Sequence, residues 1–376
     1  MNPTTDFNIS VFAGDGIGTE ITKPCLDLLH QVAKRVGGFN LTTTELPAGA
    51  SWYRDHGEAL PKKSMDLARK ADAILLAAMG LPAIRYPNGT EIAPQLNMRF
   101  DFGLYAGVRP VRRIPGLPVP LADPRAQNLD FVLVRESTEG LFSSHGRGRV
   151  IDDQRAEDTL VITRGISEKL FDFCFNLTRR RKACGSVGRL TCIDKANVFE
   201  SFAFFRKIFD ERAERFPDIE SGHAYVDATA LDMVRKPWEF DVLVTENMFG
   251  DILSDLGAGL VGGMGVAPSA DIGDEHAVFQ PCHGSAPDIM GQGKANPTAM
   301  FMSAAMMLDW LGERHDQPAC IQAAALINLA IDRAFSDADL LPCDMGGVSG
   351  TGSICSAVSE AVEQIDLETA ASAASI

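Results

Sequence analysis

Residues Asp241–Leu256 read DVLVTENMFGDILSDL. The apolar, β-branched run Val242-Leu243-Val244 reads as a buried parallel strand that ends at Thr245-Glu246-Asn247. A helical stretch follows and carries Asp251 and Asp255. Residues four apart share a helix face, with Cβ atoms roughly 5–6 Å apart. Two carboxylates so close repel unless a cation sits between them, and paired oxygen ligands suit Mg²⁺ or Mn²⁺. An Asp-x-x-x-Asp pair alone is usually a solvated face. Placed at the C-terminal end of a buried strand, where open α/β sheets put their ligands, metal binding becomes an equal alternative.

Outward from this segment, apolar strand-like runs alternate with helical stretches, the pattern of an α/β fold. Strands are expected at Ile9–Ala13, Ala73–Ala77, Phe131–Arg135 and Leu190–Ile193, besides Val242–Thr245. Helices are expected at Glu20–Val36, Ser64–Lys70, Ile166–Arg180, Val198–Ala213 and Asp251–Leu260. Three more follow at Thr298–Leu311, Gln317–Phe335 and Thr351–Gln364, and the small residues of Glu368–Ile376 suggest a frayed tail. Pro110–Pro124 (PVRRIPGLPVPLADP) reads as a Pro-rich connection, and Gly140–Asp153 as an irregular arm or lid.

The 376 residues suffice for two domains or one large discontinuous one. A formal charge of −15 argues against nucleic acid and anionic membranes as partners. An anionic substrate would then need a local arginine cluster. No apolar run is long enough to span a bilayer, and MNPTTDFNIS lacks a signal-peptide pattern. The eight cysteines form no CxxC pair and no zinc spacing, so buried, reduced thiols in a cytoplasmic protein are expected.

Each candidate strand delivers a reactive group at its end. The first runs into Gly14-Asp15-Gly16-Ile17-Gly18, with Glu20 in the helix that follows. Such glycines permit a tight turn or close approach to a ligand, but the spacing is not that of a dinucleotide fingerprint. The third ends in Arg135-Glu136, while Arg99 and Arg109 flank RFDFGLYAGVR. Arginine binds carboxylates bidentately, so three such groups at one point would capture a di- or tricarboxylate. The fourth leads to Lys195, a general base if neighbouring positive charge depresses its pKa. Asp227 offers a further carboxylate. His283-Gly284-Ser285-Ala286-Pro287-Asp288, followed by GQGKANP at 291–297, is a long polar loop of the functional kind. Asp288 suits ribose hydroxyls and repels a 2′-phosphate, which favours NAD over NADP.

Together these segments, from GDGIGTEI to GGVSGTGS, resemble the isocitrate/isopropylmalate dehydrogenases, the metal-dependent β-decarboxylating dehydrogenases. The resemblance implies a two-domain α/β fold that is not a Rossmann fold. A large discontinuous domain, 1–104 plus 262–376, would accompany a small central dimerisation domain, 105–261. It implies that Asp251 and Asp255 bind Mg²⁺ or Mn²⁺, with Asp227 and Lys195 reaching that site from the partner subunit of a homodimer. Arg99, Arg109 and Arg135 would clamp the substrate's carboxylates. NAD would lie over Gly14, Gly16, Gly18, the His283–Asp288 loop (His283, Gly284, Ser285, Ala286, Asp288) and Asn296. The implied reaction is oxidation, with β-decarboxylation, of a malate-type 2-hydroxy acid.

Three departures from the family pattern stand out. RESTEGLF places Phe142 where the pattern carries the tyrosine that protonates the enolate. The proton must then come from elsewhere, His145 or water included, or the oxo acid leaves undecarboxylated. The same substitution admits a non-catalytic or regulatory relative, against which the complete lysine, aspartate and arginine set argues. Ala93, Gln95 and Leu96 line the region that reads the C3 group and match neither isocitrate nor isopropylmalate usage. That leaves 3-isopropylmalate, isocitrate, tartrate and D-malate open as substrates. Gln280 stands where the family pattern carries glutamate.

Overall fold

The computed structural model describes residues 4–374. Its strands are β1 (Thr5–Gly14), β2 (Phe39–Glu45), β3 (Ala73–Ala78), β4 (Ala106–Arg112), β5 (Asp130–Glu136) and β6 (Arg149–Ile151). Then come β7 (Arg155–Glu157), β8 (Arg189–Asp194), β9 (Glu220–Tyr225), β10 (Val242–Thr245), β11 (Pro268–Ile272) and β12 (Ala277–Pro281). The helices are α1 (Ile17–Val36), α2 (Ala50–His56), α3 (Lys62–Ala68), α4 (Pro94–Asp101), α5 (Arg164–Ala183) and α6 (Glu200–Ala213). They continue with α7 (Val226–Arg235), α8 (Asn247–Leu260), α9 (Thr298–Arg314), α10 (Pro318–Asp337), α11 (Thr351–Gln364) and α12 (Leu367–Ala374).

Ten strands form one mixed sheet in the order β2-β1-β3-β12-β11-β4-β5-β10-β8-β9. Only the pairs β12–β11, β11–β4 and β4–β5 are antiparallel. Strand direction therefore alternates across the middle of the sheet, and each outer part is parallel. This mixed order is an α/β fold but not a Rossmann fold. The five strands on the β2 side come from chain outside 105–261, and the five on the β9 side from within it.

The segment Asp241–Leu256 folds as its sequence suggests. Every residue of β10 is buried, between parallel neighbours β5 and β8. Glu246 caps α8, its side chain accepting from the Phe249 amide at 3.3 Å. The next turn packs tightly, because a Cβ on Gly250 would lie 2.6 Å from Cβ of Arg135. Glycine there lets α8 sit against β5 and brings Asp251 beside Arg135.

Three expectations need correction. Pro110–Arg112 continues β4 instead of starting a linker, because its partner strand β5 supplies the ladder. The segment Gly140–Asp153 is not wholly irregular, since it carries β6, which pairs with β7 just beyond it. The tail is helical as far as Ala374, with Ala370 fully buried; 375–376 lie outside the described residues. All eight cysteines are free, and four of them are buried, but Cys184 is exposed. Among the described residues no helix is long and apolar enough to cross a membrane.

Candidate active site

A cavity of about 170 Å³ opens over the centre of the sheet, where strand direction alternates. Its walls carry Gln95 and Arg99 from α4, Arg109 from β4, Arg135 from β5, and Asp251, Ser254 and Asp255 from α8. The chain from Gln280 to Gly284 closes the remaining side. The three arginines are almost fully buried, a burial that cations survive only when paired. Arg99 Nε and Arg109 Nη2 donate to Asp271 at 3.0 and 3.3 Å. Arg135 donates through Nε and Nη2 to Asn247 Oδ1, at 2.9 and 2.7 Å, and through Nη1 to Asp251. Burial, then the nearby Arg99, lowers Arg135 to about 10, so it remains charged at neutral pH.

Asp251 and Asp255 project from successive turns of α8 into this cavity. Burial and then the neighbouring Asp251 raise the pKa of Asp255 above the usual carboxylate range. This electrostatic stress is what a divalent cation relieves, and carboxylate oxygens are the donors Mg²⁺ and Mn²⁺ prefer. Two further polar atoms of cavity-lining residues, Gln95 Oε1 and His283 Nε2, are buried without a hydrogen-bond partner. Polar atoms so placed suit a polar ligand.

Lys195 and Asp227 behave differently. Lys195 follows β8 and Asp227 lies in the first turn of α7; they form an ion pair with each other, and neither lines the cavity. The cationic surroundings expected for Lys195 do not form within one chain, since its charged partner is a carboxylate. That lysine first holds Asp227 below its usual range. Among the described residues no three acidic, histidine or cysteine groups assemble as a metal site. Val198 and Phe199, shortly after Lys195, and Leu231, Val234 and Ile252 on α7 and α8 are exposed apolar side chains, of the kind that a protein interface covers.

The segments expected to hold a nucleotide meet one another. The Ile17 amide donates to the Ser285 carbonyl at 2.8 Å, and Ser285 Oγ donates to Gly80. The close approach permitted by Gly14–Gly18 is thus partly to the chain itself. Buried Asp15 fixes the turn, accepting from the amides of Ala50, Ser51 and Gly80 at 2.7–2.9 Å. Glu20 holds the second half of the loop, accepting from Gly291 and Ala295 amides and from Thr351. Asn296 accepts from the Thr298 amide and donates to Asp344. Asp288 is exposed, while Ala286 adopts a φ of +35°. Phe142 lies outside the cavity, its ring 4.8 Å from the Arg135 guanidinium carbon, and His145 shares its groove.

A family model described as isocitrate/isopropylmalate dehydrogenase matches residues 8–362. The chain belongs to this family. Among its dehydrogenase relatives, the 3-isopropylmalate/3-methylmalate dehydrogenase of Methanocaldococcus jannaschii is 39% identical, over 95% of this chain and 99% of that protein. The 3-isopropylmalate dehydrogenase of Moorella thermoacetica is 40% identical, over 85% and 89%. The crystal structure of isocitrate dehydrogenase from Methylococcus capsulatus superposes with a TM-score of 0.81 at 34% identity, covering 95% of this chain and all of that one. Within the dehydrogenase fold, reading the sequence overlooked Asn247, Asp271 and the bracing role of Glu20. Only Asp271 left a signal: an acid inside the apolar run PSADI.

Proposed function

We propose that this chain is an NAD-dependent, Mg²⁺- or Mn²⁺-dependent dehydrogenase that oxidises a malate-type 2-hydroxy acid and releases its β-carboxylate as CO₂. One observation carries this reading: three buried arginines and two facing carboxylates, Asp251 and Asp255, line a single cavity. Guanidinium groups fixed in this way suit a dicarboxylate, despite a chain charge of −15. Relatives named 3-isopropylmalate dehydrogenase support the reaction class.

In this reading Arg99, Arg109 and Arg135 bind and orient the substrate carboxylates. Asp251 and Asp255 hold the cation, together with Asp227 of the partner subunit. Lys195 of the partner subunit takes the proton from the C2 hydroxyl. Gly14, Gly16, Gly18, the His283–Asp288 loop and Asn296 hold NAD, with Asp288 accepting from the ribose. When bound, the cation acidifies the C2 hydroxyl and stabilises the enolate charge, and NAD takes the hydride. The partly polar lining around Gln95, with its unpaired Oε1, favours a small or polar C3 group. The exposed apolar surface beside Lys195 supports a homodimer with shared sites. The division into 1–104 plus 262–376 and 105–261, and a cytoplasmic location, belong to the same proposal.

The test is a panel of D-malate, tartrate, isocitrate and 3-isopropylmalate with NAD and Mn²⁺, followed at 340 nm and by CO₂ release. Formation of NADH with at least one acid is expected, and silence across the panel sinks the reading. Phe142→Tyr, assayed alongside, is expected to raise CO₂ relative to NADH. An unchanged ratio means that protonation does not pass through this position.

A further inference from the structure

Asp271 is the fourth of the five residues of β11, only 1% exposed, and does not itself line the cavity. Its carboxylate nonetheless holds the walls. Oδ2 accepts from Arg99 Nε at 3.0 Å and from Gln280 Nε2 at 2.9 Å. Oδ1 accepts from Arg109 Nη2 at 3.3 Å and from Ser137 Oγ at 3.4 Å. The sheet makes room for this arrangement. Gly107 faces Asp271 across the ladder, and a Cβ there would lie 2.5 Å from Ser137 Oγ and 3.1 Å from Asp271 Oδ1.

Strand register explains which groups meet. Opposed residues of an antiparallel pair present side chains on one face, and alternate residues of a strand return to that face. Ser269 opposes Gln280 and Asp271 opposes Gly107, which in turn opposes Arg135. Asp271, Gln280, Arg109 and Arg135 therefore share a face. Position 280 is an amide that donates to an acid one strand away.

We propose that Asp271 is a positioning residue that supplies the buried negative charge that aims Arg99 and Arg109 at the substrate's carboxylates. The proposal rests on the dicarboxylate reading of the cavity given above. Asp271 engages Nε of Arg99, which leaves the outer edge of that guanidinium for the cavity. Gln280 supplies a donor where a glutamate would set a second carboxylate against the first. Two carboxylates at such a distance do not both ionise readily. A glutamate at 280 would therefore compete with Asp271 for the same charge, and moving the carboxylate from 271 to 280 would keep one charge at this point.

This competition gives a reciprocal test with Asp271→Asn, Gln280→Glu and the double variant. Each acid of the panel is titrated calorimetrically into the full-length, Mn²⁺-loaded protein, and KM and kcat are measured with whichever turns over. Each single variant is expected to weaken binding of the acid that the parent binds and raise KM by about tenfold or more, with kcat changed by less than about threefold. The double variant is expected to return to within about threefold of the parent, because one buried carboxylate again faces the arginines. A merely structural role would lower the melting temperature without splitting KM from kcat and without rescue. Parental affinity in Asp271→Asn, or a double variant no better than the singles, overturns the proposal. If Asp271→Asn does not fold, Gln280→Glu decides, and unchanged affinity there overturns it. A parent that binds a panel acid without turnover defeats the reaction reading alone, since the affinities still judge Asp271. A parent that binds none of the four panel acids defeats both.

Discussion

Arg109 and Arg135 are 6% and 3% exposed, and their guanidinium groups are held on the protein side by two strand carbonyls and Asp271 and by Asn247 and Asp251, respectively. Lys195 and Asp227 form a single ion pair at the far edge of the same sheet, with side chains 24% and 69% exposed. The first region is assembled by one chain's own packing. The second has reactive groups of the right chemistry but no cavity around them, and apolar side chains beside them face solvent. Buried ionic groups hold their geometry because breaking one pair leaves an unpaired charge, at a cost of about 3–5 kcal/mol. Exposed pairs contribute about 0–1 kcal/mol and yield readily to a new partner. The arginine cavity is thus preset within the chain, and in the proposed homodimer the Lys195–Asp227 pair would meet the cavity of a second copy.

The largest expected effect tests that division directly. Asp251→Asn and Lys195→Ala should each lose about 10³-fold or more in kcat/KM as homodimers. If the two halves come from different subunits, mixing the denatured variants in equal amounts and refolding them should restore about a quarter of the parent activity, because half the dimers then carry one intact site. Kinetics of the mixture check this, and absence of recovery would place both residues in one subunit's site.

Arg135→Lys sharpens the account of the preset half. Lysine cannot engage Asn247 and Asp251 at once through a planar fork. Activity should fall about a hundredfold in kcat/KM, or ~3 kcal/mol, with KM carrying most of it. Parental KM would show that Arg135 does not touch substrate.

The smallest effect concerns Glu136, next to Arg135. Burial, opposed by hydrogen bonds from Thr138 and Glu139, raises it from 4.5 to about 7. A folded-state pKa above the unfolded one contributes stability that is present below about 4.5 and is lost as pH rises through about 7. Between pH 5 and 7 this loss should amount to about 2 kcal/mol. Denaturant unfolding across this range should show the decline, and Glu136→Gln should flatten it whatever its own stability. An equally steep decline in the variant would assign the slope to another group.

Much of this was written in the chain's local patterns. The run Val242–Thr245 could only be a buried strand, and the spacing of Asp251 and Asp255 puts both on one helical face. Short or mixed strands such as β4, β11 and β12 were not legible, because their apolar character is interrupted by Arg109, Asp271 and Gln280. Those interruptions are the site itself. Local propensity reads such residues as breaks, while the ionic partners that override it lie far along the chain, Arg99 and Arg109 standing 172 and 162 residues from Asp271.

Periodicity and residue chemistry by themselves determined the alternating α/β order, the paired acids and the supply of arginines, since each depends on neighbours a few positions apart. Only the tertiary structure decided that Arg99, Arg109 and Arg135 share one cavity, that Asp271 braces two of them, and that Lys195 stands apart. Those outcomes depend on strand register and direction across a ten-stranded sheet, which bring together residues no local pattern connects.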